Sequence, residues 1–110
     1  MEEKHEKPVE FVGGSLRELK SFGAEVARDA GYQLYLVQIG QKPDDWKPVR
    51  SVGPGVCEIR IRDDREAYRV MYVANFEEAV YVLSAFRKTS SKTTTADLEL
   101  AKARFKSIKP

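Results

Sequence analysis

The hydrophobic positions change period along the chain, and each change marks an element. Val9-Glu10-Phe11-Val12 alternates and reads as a short strand stopped by Gly13-Gly14. Ser15-Leu16-Arg17-Glu18 has a Ser followed three residues later by a Glu. That is the pattern of a capping box, and it predicts a helix with Leu16, Leu19 and Phe22 as its apolar stripe. Gly23 predicts a break. Val26, Ala30, Leu34 and Val37 then recur at helical spacing, and Gly40 is placed to end this second helix. From Gln41 to Gly55 the chain holds Pro43, Pro48, Gly53, Pro54 and Gly55 and reads as a connector. Three strands follow, Val56–Arg62, Ala67–Ala74 and Ala79–Lys88, with gaps at 63–66 and 75–78 short enough to make an antiparallel meander. After a Thr- and Ser-rich stretch at 89–95, Leu98, Ala101, Phe105 and Ile108 line one face of a last helix. Strand, two helices, three-strand meander and C-terminal helix make an α+β domain on a small antiparallel sheet.

The turn lengths set a register, and the register sorts the side chains. If 63–66 closes a regular hairpin, Arg62 lies opposite Ala67, Ile61 opposite Tyr68, Ile59 opposite Val70 and Cys57 opposite Tyr72. With a period of two, the other face carries Arg60 opposite Arg69 and Glu58 opposite Met71. The same step at 75–78 places Val70–Leu83, Tyr72–Tyr81 and Tyr68–Ala85 on the core face. Met71–Val82, Arg69–Ser84 and Ala67–Phe86 fall on the other face, with Lys88 just beyond. Arg69 is therefore expected at the centre of a basic patch, flanked by Arg60 and Ser84, with Arg62, Phe86 and Lys88 nearby. Like charges directly opposite in a sheet cost up to about 1 kcal/mol. An anion between them removes that cost, and the planar fork of Arg suits a phosphate. Phe86 offers a ring on which a base can stack. The plainer reading of the same pattern is a solvated sheet face. Met71 and Val82 on that face are expected to lie partly under the last helix.

Composition narrows the classes. A chain of 110 residues fits one domain, 1–110, with 1–7 expected to fray. With 42% hydrophobic and 33% charged residues it is expected to form a globular core. No apolar run approaches the roughly 20 residues that span a bilayer, and Met1-Glu2-Glu3-Lys4-His5 lacks the apolar core of a signal peptide, so a cytoplasmic protein is expected. Cys57 alone forms no internal disulfide, and with His5 as the one His there is no zinc set; neither a metal nor a cofactor is expected. Net charge is only +2, so a nucleic-acid reading must rest on how the charge is distributed.

Glu58-Ile59-Arg60-Ile61-Arg62, Tyr68-Arg69-Val70-Met71-Tyr72 and Tyr81-Val82-Leu83-Ser84-Ala85-Phe86-Arg87-Lys88 come in a fixed order. Lys47-Pro48-Val49 precedes them and Ala96-Asp97-Leu98-Glu99-Leu100-Ala101 follows. This ordered set, over about residues 9–106, resembles the RelE/HigB toxin superfamily, most of all its HigB-like branch of phage-derived proteins. The resemblance implies a RelE-like fold and a toxin of a type II toxin–antitoxin system. It also implies ribosome-dependent cleavage of messenger RNA and a cognate antitoxin, commonly a helix-turn-helix protein. Arg60, Arg69 and Lys88 match basic, catalytic positions of the three meander strands. Glu58 stands where some relatives carry Lys. The active-site His of other members has no counterpart, and neither does their C-terminal Tyr, since residues 89–110 contain none.

Cleavage of the implied type needs no metal: the ribose 2′-OH attacks the adjacent phosphate and the 5′-oxygen leaves. Arg60 and Arg69 suit the charge that grows on the phosphate oxygens. Lys88 suits the leaving oxygen, as stabiliser or acid, and Lys47 can hold the RNA backbone from the connector. Arg62, Ser84, Phe86 and Arg87 complete the expected substrate contacts. Glu58, the only carboxylate on the predicted face, is expected to orient its neighbours rather than act as base, and the base stays open. An Arg69→Ala chain is expected to fold but not to cut. Two other readings stand beside this one: a ParE-like toxin, which shares the fold and inhibits gyrase, and a non-toxic phage-encoded binding module, which the low net charge favours.

Overall fold

The computed structural model describes residues 6–89 and 93–108. Along the chain run β1 (Val9–Phe11), α1 (Ser15–Lys20), α2 (Ala24–Gln38), β2 (Trp46–Pro48), β3 (Val56–Arg62), β4 (Ala67–Val73), β5 (Val80–Lys88) and α3 (Thr95–Ser107). The strands form one sheet in the order β1-β5-β4-β3-β2. The α+β class and the element order agree with the sequence reading and are compatible with a RelE-like fold. The sheet is mixed rather than purely antiparallel, because β1 pairs with β5 in parallel. The connector also contains an unexpected strand: Trp46, Lys47 and Pro48 pair with Ile59, Glu58 and Cys57. Its Pro hid it, yet Pro48 ends a three-residue edge strand, where a missing N–H is tolerated.

Both faces of the sheet are covered. Leu19, Phe22, Ala30, Leu34 and Val37 of the α1–α2 side pack on Ile59, Ile61, Tyr68, Val70, Tyr72, Val80 and Val82. On the other side Ala101, with Leu98 and Phe105 of α3, packs on Met71, Val73 and Leu83. β4 is central and buried on both sides, apolar but for Arg69, which explains why its sequence barely alternates. Gly23 (φ +94°) and Gly40 (φ +83°) bracket α2 in conformations that L side chains avoid, as their positions predict.

The β3–β4 register agrees pair for pair with the sequence reading, from Cys57–Tyr72 to Arg62–Ala67. The β4–β5 register does not. Arg69 lies opposite Phe86, Val70 opposite Ala85 and Met71 opposite Ser84, after which the register shifts to Tyr72–Val82 and Val73–Tyr81. Leu83 is the extra residue of a bulge. Tyr81 and Leu83 therefore join the α3-side core and Val82 the helix-pair side, the reverse of expectation.

Ser15 and Glu18 do not form the expected capping box. Gly14 is the N-cap of α1, and no side chain caps it. The reason is tertiary. β1 pairs with β5 only as far as Val82, which leaves the outer edge of β5 open from Leu83 onward. Ser15 Oγ donates to the Val82 carbonyl (3.1 Å), and the Glu18 carboxylate accepts from the Ala85 N–H (3.2 Å). Arg104 of α3 makes two 2.8 Å bonds to Glu18 and a 2.9 Å bond to the carbonyl of Leu83. Two edge groups beyond the end of β1, the Leu83 carbonyl and the Ala85 N–H, are thus satisfied by one ion pair, which also fastens α3. Glu18→Ala leaves Arg104 and the Ala85 N–H without this partner, and urea unfolding is expected to show a loss of about 2–3 kcal/mol.

Residues 1–5 lie outside the described residues. Lys7, expected to fray, is held: its Nζ donates to the carbonyls of Ala74 and Phe76, both at 2.8 Å, and its backbone bonds to Gln38.

Candidate functional site

The α3 side of the sheet carries three cross-strand rows. Lys47 lies opposite Glu58, Glu58 opposite Met71 and Met71 opposite Ser84. Arg60 lies opposite Arg69 and Arg69 opposite Phe86; Arg62 lies opposite Ala67 and Ala67 opposite Lys88. This is the face expected to be basic, and it gathers every expected site residue except Arg87. Arg87 pairs with Tyr68 on the helix side, with its guanidinium 5.9 Å from the Tyr68 ring centroid. It donates to the Ser21 carbonyl (3.0 Å) and pairs with Glu66 (3.2 Å). The period of two decides this: with Phe86 and Lys88 on one face, Arg87 belongs to the other.

The centre of the face is more buried than expected. Arg69 Nε lies 3.0 Å from Glu58 Oε2, and the two side chains are only 7% and 3% exposed. Arg69 Nη1 donates to its neighbour's carbonyl, Tyr68 O, at 3.0 Å. Burial, above all, lowers the Arg69 pKa; Glu58 opposes this and Arg60 adds to it. Arg69 is therefore a strut locked to Glu58 rather than an open phosphate clamp. It still borders a hollow of about 280 Å³, which it shares with Asp45, Arg60, Ile61 and Arg62. Arg60 is half-buried at this hollow, and Arg62 and Lys47 are exposed. Phe86 is half-buried against the α3-side core, so its ring is not the free stacking platform that was expected.

Among the described residues, four buried side-chain atoms on this face have no hydrogen-bond partner: Glu58 Oε2, Arg60 Nε, Arg69 Nε and Ser84 Oγ. The Glu58–Arg69 contact is thus an ion pair whose N–H is not aligned on the oxygen. Buried polar groups rarely stay unpaired, and a cluster of them calls for a polar guest such as water or a phosphate oxygen.

The chain matches the family model described as phage-derived protein Gp49-like (DUF891) over residues 17–106. It belongs to that family. No curated protein matches it. The part shared with other Gp49-like proteins runs from α1 to α3 and includes every residue of the basic face.

Lys88 of this Gp49-like chain reports on the cluster. Burial, first, and then Arg69 lower its pKa; Glu58 opposes them, and Arg60 and Lys47 add to the lowering. The ammonium is expected to titrate below the ordinary lysine value, as a ¹⁵N-detected titration of Lys88 would measure. The unfolded chain then binds this proton more tightly than the folded one. Lys88 therefore costs stability at neutral pH, and the cost lifts as pH rises through the folded pKa toward the unfolded one.

Asp45 was missed by the sequence reading. Its carbonyl accepts from the Arg60 N–H (2.9 Å), and it stands at the rim of the hollow because β2 draws the connector alongside β3. Nothing in the connector's composition marks it. Among the described residues, no helix is long and apolar enough to cross a membrane.

Proposed function

We propose that this Gp49-like protein is the toxin of a type II toxin–antitoxin system, a metal-independent endoribonuclease that cuts messenger RNA on the ribosome at the basic face of β3, β4 and β5. One observation carries the reading: Arg60, Arg69, Lys88 and Lys47 converge where buried polar atoms of Glu58, Arg60, Arg69 and Ser84 lack partners. The ordered resemblance to RelE/HigB toxins supports it.

In the proposed reaction the 2′-OH loses its proton to solvent, its oxygen attacks the adjacent phosphorus, the bond from phosphorus to the 5′-oxygen breaks, and a 2′,3′-cyclic phosphate remains. Arg60, the more accessible guanidinium, faces the charge that grows on the non-bridging oxygens. Arg69 acts from behind, held by Glu58. Lys88 protonates or stabilises the departing 5′-oxygen, a role that a lowered pKa favours. Lys47 and Arg62, exposed at either end of the face, hold flanking phosphates. The ribosome contributes alignment of the 2′-OH. A cognate antitoxin, a helix-turn-helix protein in the implied branch, restrains the toxin in the cytoplasm.

The test is expression of the chain in growing cells, with transcript ends mapped. The expected result is growth arrest with cuts inside translated codons, both lost in Lys88→Ala. Arrest with intact transcripts and inhibited gyrase would instead support the ParE-like reading. Unimpaired growth would support a binding module.

A further inference from the structure

Among the described residues, Glu58 is the one buried carboxylate of the basic face. Lys47 stands opposite it on β2, Arg60 follows two residues along β3, and Arg69 lies 3.0 Å from its Oε2. Asp45 also borders the hollow, but from its exposed rim. A buried ion pair of this kind is no requirement for folding, since apolar residues of similar volume often replace one without loss. The position therefore has room for a different duty.

The arrangement within the pair points to that duty. Glu58 neutralises Arg69 where a phosphate would otherwise gain most, yet the pair is not aligned as a hydrogen bond, and Arg60 Nε, Arg69 Nε and Ser84 Oγ all keep unused donor capacity. Those atoms are buried, but the hollow beside Arg60 and Arg69 brings an anion against the two guanidinium groups. The Glu58 carboxylate, a few ångströms away and screened little because it is buried, repels the same anion.

We propose that Glu58 is a specificity-determining residue, a built-in competitor that turns away a lone phosphate so that only a polynucleotide, anchored by further contacts at Lys47 and Arg62, engages the site. The proposal rests on the reading of this face as an RNA site. It explains how a basic cluster with a half-buried hollow at its side can stay unoccupied amid the free phosphate and mononucleotides of a cell. Glu58 sets the threshold, and the exposed cations at the ends of the face supply what a chain of phosphates needs to pass it.

Inorganic phosphate and a non-cleavable 2′-O-methyl oligoribonucleotide, titrated into the full chain and into Glu58→Gln, test this. The variant is expected to bind phosphate about tenfold tighter or more, by the charge removed at short range. The oligonucleotide should gain less, so the ratio between the two affinities shrinks. A second measurement needs no variant: the Nε–Hε resonance of Arg69 in the wild-type protein should shift as phosphate is added at high concentration. Unchanged or weaker phosphate binding by a folded Glu58→Gln overturns the proposal. So does an Arg69 resonance that stays still at saturating phosphate, or the failure of both proteins to bind phosphate. Tighter phosphate binding by the variant, in a protein that never cuts RNA, leaves the competitor role standing and removes only the nuclease reading.

Discussion

Arg69→Ala is expected to unfold at a far lower urea concentration than the wild-type chain, with a loss of about 3–5 kcal/mol. Removing the guanidinium strands the Glu58 carboxylate, 3% exposed, without its ion-pair partner on a sheet covered from both sides. It also leaves a void on β4, the strand at the centre of the sheet. Domains of this size are stable by only about 5–15 kcal/mol, so such a loss threatens the fold itself. Loss of toxicity in Arg69→Ala would therefore say little about catalysis, contrary to the expectation from sequence that this variant folds. The control is the paired replacement Glu58→Leu with Arg69→Met. It removes both charges, keeps the volume, and is expected to recover most of the stability while leaving the site without its central cation. If Arg69→Ala unfolds within about 1 kcal/mol of wild type, the ion pair is not the strut that its geometry indicates.

That error has a physical source, and the rest of the sequence reading divides along the same line. The β3–β4 register was legible because a side chain fixes the turn. Asp63 Oδ1 accepts from the N–H groups of Arg65 (2.9 Å) and Glu66 (2.7 Å), and the Asp63 N–H reaches the Glu66 carbonyl (3.0 Å). With that turn set, the period of two puts Glu58, Arg60 and Arg62 on one face without further information. Between β4 and β5 the register depends on a bulge at Leu83, whose orphaned carbonyl is met by Arg104 from α3, so the decisive partner lies outside the hairpin. Glu18 and Arg104 meet across 86 positions of sequence, which is why Glu18 read as a local cap. Burial of Arg69 likewise arises from neighbouring elements that no local pattern reveals. Arg87, by contrast, was named as a substrate contact against a signal already in the sequence: the alternation that placed Phe86 and Lys88 on one face puts it on the other.

Arg60→Ala is expected to leave stability within about 1 kcal/mol of wild type and to reduce RNA cleavage by about 10²- to 10³-fold. The two effects separate because Arg60 differs from its cross-strand neighbour. It has no ion-pair partner among the described residues, and it stands directly opposite another arginine. Taking it away relieves a like-charge pair, which offsets the packing lost with its aliphatic stem. In the proposed reaction the same guanidinium is the group best placed at the hollow to meet charge on the non-bridging oxygens, so its removal falls on the transition state rather than on the fold. Arg60→Lys should recover only part of the rate, because an ammonium keeps the charge but not the planar fork. Urea unfolding and single-turnover cleavage on programmed ribosomes, measured on the same preparations, give both numbers. A stable Arg60→Ala protein that still cuts within a few-fold of wild type would move the electrostatic role elsewhere on the face, with Lys88 next in line. A protein that loses stability and cleavage together would mean that Arg60, like Arg69, holds the sheet together before it does any chemistry.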